Sequence, residues 1–104
     1  METILIKISD IIERYESGEW QSAENLRIML RELSSNYYFL TKHNIEAFNN
    51  HNQVQYQHKG SVAAGLILAN ERVPELRITR KILFATSKVI DAIRSELSII
   101  KNEN

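Results

Sequence analysis

Apolar residues recur along this chain at spacings of three and four, the period of one face of an α-helix. In residues 3 to 17 the set is Ile4, Ile8, Ile11 and Tyr15, and Gly18 follows as a C-terminal cap. Ser22 opens a second helix. Its hydroxyl is placed to accept from first-turn N–H groups, and Glu24 lies near the positive end of the helix dipole. From there Leu26, Met29, Leu33, Tyr37, Leu40 and Asn44 keep the spacing. Nothing that breaks a helix occurs before Gly60, which predicts a helix of roughly thirty-five residues, long enough to suggest a coiled coil or an extended hairpin.

Residues 49 to 58, NNHNQVQYQH, are rich in amides and histidine and poor in apolar anchors, and the expectation there is a solvated hairpin tip. Lys59, Gly60 and Ser61 supply a break and a new N-cap, and the small apolar run Val62 to Ala69 follows, so the chain reverses at this point. Pro74 predicts a kink or a restart. Inside a helix it removes a hydrogen bond and clashes with the preceding turn, whereas at a first turn it is harmless.

After Pro74, the residues Leu76, Thr79, Leu83, Thr86, Ile90, Ile93, Leu97 and Ile100 alternate steps of three and four without a miss, a heptad seam. Ile82 and Val89 widen it, so the last helix can touch two neighbours. Thr79 and Thr86 weaken it. Polar residues in a seam are tolerated where register or oligomer number matters, and surface-facing threonines on a globular helix give the same pattern. The expected fold is all-α: a long antiparallel helical hairpin with a short N-terminal helix and a coiled-coil-like seam, one helical domain over residues 1–104, assembled as a homo-oligomer.

Composition narrows this further. A chain of 104 residues carries one small core. Three Gly and one Pro are too few for the turns of a many-stranded protein. The absence of Cys removes disulfides, thiol nucleophiles and thiolate metal sites, and points to the cytoplasm. No apolar run is long enough to span a membrane, and METILIKISD opens with an acid rather than the basic segment of a signal peptide. The formal charge is zero, yet residues 1 to 52 carry five Lys/Arg against eight Asp/Glu, and residues 53 to 104 carry eight against five. Such polarity suits head-to-tail association or an anionic partner at one end, and is also within ordinary surface variation.

Catalytic and metal chemistry are weakly represented. His43, His51 and His58 lack the i, i+4 spacing of helical zinc motifs and have no Cys beside them, so surface histidines are expected and no metal or other cofactor is assigned. Gly60 and Gly65 do not form a phosphate-cradling loop. Glu13 and Glu16, one helical turn apart, read as a solvated face rather than an acid and base in a cleft, so the chain is not expected to be an enzyme.

The informative charges lie between Arg72 and Arg94, where Arg72, Arg77, Arg80, Lys81, Lys88 and Arg94 stand against only Glu75 and Asp91. Arg77, Lys81 and Lys88 share a face, a layout suited to tracking phosphates along a strand, and equally the polar side of an ordinary helix. Tyr37, Tyr38, Phe39 and Tyr56 are candidate stacking platforms for unpaired bases. Tyr37 belongs to the core face, while Tyr38 lies off it and Tyr56 precedes Lys59 in the polar segment. The candidate nucleic-acid residues are therefore Arg77, Arg80, Lys81, Lys88, Lys59 and Tyr56.

The stretch from Thr86 to Lys101, TSKVIDAIRSELSIIK, with Asp91-Ala92-Ile93-Arg94-Ser95 at its centre, resembles the last helix of the UvsY family of phage recombination mediators. The layout of a long helix, a polar segment and a second long helix is similar to that family over residues 22 to 101. The resemblance implies a non-enzymatic, ring-like homo-oligomer that needs no cofactor, binds single-stranded DNA by its backbone, and contacts a recombinase and a single-strand-binding protein. The family's basic cluster in the first half has no counterpart in FNNHNQVQYQHKG, which holds one Lys, so that site is not carried over. The alternative expectation is a helical oligomeric interaction protein with no nucleic-acid role, an inhibitor or ligand sponge, for example one that acts against host defence.

Overall fold

The computed structural model describes residues 2–18 and 22–103. They form four helices, α1 (Glu2–Glu16), α2 (Ala23–Gln57), α3 (Val62–Arg72) and α4 (Glu75–Glu103), with no strand among the described residues. The termini follow local chemistry. Gly18 ends α1 with φ at 81°, a left-handed conformation that a side chain would strain, and its N–H donates to the Tyr15 carbonyl at 3.2 Å. The Ser22 hydroxyl accepts from the Asn25 N–H at 3.2 Å, and the Ser61 hydroxyl accepts from the Ala64 N–H at 3.1 Å. Each cap satisfies a donor that the first helical turn would otherwise leave unpaired.

α2 runs unbroken for 35 residues, so most of NNHNQVQYQH is helix and only residues 58–61 form the turn. The segment forms the end of the hairpin and is exposed or half-buried except at His51. The segment has few apolar anchors because part of its packing is polar, as His51 shows below.

Pro74 ends one helix and lets another begin. Val73 has φ −127° and ψ 66°, outside the helical region that a following proline disfavours. Its N–H still donates to the Ala69 carbonyl at 2.9 Å, and the Pro74 carbonyl accepts from the Ile78 N–H at 3.3 Å to start α4. α3 and α4 thus form a broken limb running back along α2. Gly65 lies against Gln55, Asn70 meets His51, and Thr79 meets Asn44. A Cβ on Gly65 would come within 3.0 Å of the Gln55 carbonyl oxygen, so the glycine permits the close approach of α3 to α2. α1 packs on both α2 and α4 at the other end of a molecule measuring 63 × 24 × 20 Å.

The main core joins Ile8 and Ile11 of α1, Leu26, Met29, Leu33 and Leu40 of α2, and Ile90 and Ile93 of α4. A smaller cluster of Ala47, Val73 and Leu76, with Val54 against it, closes the limb near the proline. The α4 seam therefore turns inward within one chain. Thr79 and Thr86 are fully buried, not surface-facing, and their hydroxyls donate to the Glu75 and Ile82 carbonyls at 2.8 and 2.6 Å. Thr79 also accepts from the Asn44 amide at 2.8 Å. Because a buried hydroxyl is costly only when unpaired, these bonds let polar residues sit in an apolar seam. No helix among the described residues is long and apolar enough to cross a membrane.

Tyr15 ties α1 to α4 through a 2.7 Å hydrogen bond donated to the Glu96 carboxylate. Burial first, then that bond and the carboxylate's charge, push its phenol up from 10.0 to about 12. The folded state holds this proton more tightly than the unfolded chain, so the contribution is full below pH 10 and is lost as pH rises toward about 12. Denaturation midpoints measured across this range should fall for the native chain and fall less for Tyr15→Phe. Equal slopes would show that the bond does not govern alkaline stability.

Candidate functional site

Where Pro74 breaks the return limb, α3 and α4 leave a groove against the last turns of α2. It encloses about 680 Å³. α2 contributes Phe48, His51, Asn52 and Gln55, α3 contributes Leu66 and Asn70, the break contributes Val73 and Pro74, and α4 contributes Leu76, Arg77, Ile78, Arg80 and Lys81. Val73 and Leu76 belong to the small cluster beneath, which makes the floor apolar.

His51 is only 7% exposed, and its ring Nε2–H donates to the Asn70 Oδ1 at 2.8 Å, joining α2 to α3. The expectation of a surface histidine is corrected at this position. The residue is structural, a buried polar link in place of an apolar anchor. Among the described residues no group of three His, Cys, Asp or Glu side chains could hold a metal ion.

Arg77, Arg80 and Lys81 lie within one turn of α4, all exposed, and none forms an ion pair among the described residues. The Arg80 guanidinium stands 5.9 Å from the centre of the Phe48 ring, within cation–π range. Among the described residues no Asp or Glu lines the groove, so its lining carries three cations and no carboxylate although the chain is formally neutral. Three cations, a half-exposed aromatic ring and side-chain amides thus share one concave surface.

Of the six residues expected from sequence, the structure brings Arg77, Arg80 and Lys81 together and leaves three outside. Lys88 lies two turns further along α4, its Nζ 4.3 Å from the centre of the exposed Phe84 ring. Lys59 is exposed in the turn after α2. Tyr56 is 79% exposed on the last turn of α2 but does not line the groove. Tyr38 is also exposed, with its ring edge-on to Phe39 at 5.5 Å, and it too lies outside.

Sequence reasoning missed Phe48, Asn52 and Asn70. The signal that could have found them is register. Folding the chain back at residues 58–61 sets Asn44 level with Thr79 and His51 level with Asn70, which carries Phe48 to the proline break. No protein-family model, curated protein or solved structure matches the chain.

Proposed function

We propose that this chain is a non-enzymatic single-stranded DNA-binding assembly factor of the recombination-mediator type. It works as a homo-oligomer that holds a strand in the Arg77–Arg80–Lys81 groove and presents it to a recombinase. The observation that carries this reading is the convergence on one groove of three cations and an aromatic ring, with no ion-pair partner for the cations and no lining carboxylate among the described residues. Unpaired cations gain most from phosphates, because each contact releases condensed counterions from the strand. An aromatic face beside them favours a strand whose bases are unstacked. Lys88, about 10 Å further along α4 at 1.5 Å per residue, extends the cationic track.

Assembly is supported by large apolar side chains left uncovered on several helices outside the groove, among them Ile6, Ile45, Ile67 and Phe84. Repeated copies would align several weak grooves on one strand, which raises avidity without new contacts. The resemblance of residues 86–101 to the mediator family points the same way.

The test is the fluorescence anisotropy of a labelled single-stranded oligonucleotide titrated with the protein at several salt concentrations. Binding should weaken linearly on a log–log plot, with a slope near about −2 per engaged groove from three phosphate contacts. A second reading, a helical oligomer that sequesters a small ligand or a host protein, draws on the groove's volume, which falls within the roughly 300–1,000 Å³ of small-molecule sites. No binding at low salt would move the assignment to that reading.

A further inference from the structure

The groove contains more than phosphate binding requires. Arg77, Arg80 and Lys81 occupy one side, and a backbone could be held by them alone on an open helix face. Instead they border a cavity floored by Val73 and Leu76, with Phe48, Leu66, Asn52, Gln55 and Asn70 around it. Phe48 is 44% exposed, an apolar ring left facing solvent beside a guanidinium.

The amides have free capacity. Asn52 and Gln55 make no side-chain hydrogen bonds among the described residues. Asn70 accepts from His51 through its oxygen, which fixes the amide plane and leaves both amide hydrogens uncommitted. A ligand that satisfies this surface has a flat aromatic body for Phe48 and the apolar floor, polar edge atoms for the amides, and an adjacent anion for the cations. An acyl chain would leave the amides and cations unused, and a bare phosphate would leave the ring and floor unused. A nucleotide uses all of them.

We propose that the groove accepts the base of an unpaired nucleotide. Phe48 stacks on it, the Asn52, Gln55 and Asn70 amides meet its edge, and the attached phosphate lies against Arg77, Arg80 and Lys81. This deepens the strand-binding reading and rests on it for the source of the nucleotide. It differs from recognition of the backbone alone, because each engaged groove draws one base out of the stack.

The experiment compares the full chain and Phe48→Leu against three probes at one salt concentration: a thymidine dodecamer, an abasic dodecamer of the same length, and thymidine 5′-monophosphate. Base stacking of ordinary strength makes the thymidine strand bind roughly tenfold to a hundredfold more tightly than the abasic strand. Phe48→Leu, at an exposed position, should remove most of that difference, costing the thymidine strand far more affinity than the abasic strand. Equal binding of the two strands by the native chain would overturn the base pocket and leave strand binding standing. Saturable monophosphate binding that shifts the Asn52 and Asn70 amide resonances, with neither strand bound, would keep the pocket and assign it to free nucleotides instead. Failure of all three probes would overturn both readings.

Discussion

Replacing Arg77, Arg80 and Lys81 together with alanine should lower affinity for single-stranded DNA about a hundredfold at about 0.1 M salt. The size follows from counterion release. Three phosphate contacts at about 0.7 ions each change the salt slope by about two units, and at that salt two units correspond to two powers of ten. The fold should survive, since all three side chains are exposed and have no ion-pair partners among the described residues, and alanine is the better helix former. The loss inside the protein is the contact of Arg80 with Phe48, worth about 0.5–1 kcal/mol at an exposed site.

A companion variant makes the result specific to the groove. Lys59→Ala with Lys88→Ala also removes positive charge, at positions that do not line the groove. It should weaken binding only severalfold at the same salt concentration. Far-UV circular dichroism checks that both variants remain helical. If the triple variant, still helical, binds as well as the native chain, the α4 cluster is not the site. If the companion pair costs as much as the triple, the attraction is a diffuse field rather than a groove.

The features legible in the sequence were those with local causes. Ser22, Ser61, Gly18 and Pro74 each act on backbone within one turn of themselves, and each marks a helix boundary in the structure. The apolar spacing of α4 was equally plain, because the side chains that face one way recur every three or four residues. What it left open was the partner. A seam written over one helix fits another chain as readily as α2 of its own, and the structure meets it with α2 and α1.

The features that escaped notice depend on pairs far apart in sequence. His51 and Asn70 are each polar and read singly as solvated, yet they satisfy one another in the packed limb. Thr79 looked like a weak point in the seam because its donation to its own helix and its bond from Asn44 are invisible to a hydropathy pattern. Phe48 carries no local signal in the sequence. Its importance comes only from the register that sets it beside Arg80.

Leu33→Ala should destabilise the protein by about 2–5 kcal/mol, the usual range for truncating a buried leucine that its surroundings cannot collapse around. Leu33 is 0% exposed and belongs to the cluster where α1, α2 and α4 meet. The molecule is only 24 × 20 Å across, so no second layer lies behind that cluster to absorb the cavity. Against a typical total stability of about 5–15 kcal/mol, this is a large fraction. The thermal midpoint, read by circular dichroism, should fall by at least about 10 °C. A fall of less than about 3 °C would mean that the main core does not govern unfolding. Ile6→Ala is the informative control. Ile6 is 67% exposed within one chain, so in a monomer its truncation should cost under about 0.5 kcal/mol. If Ile6→Ala costs as much as Leu33→Ala and the midpoint rises with protein concentration, the α1 surface is covered by a second copy in solution. The homo-oligomer of the proposed function then uses that surface, and the groove at the opposite end stays open to a strand.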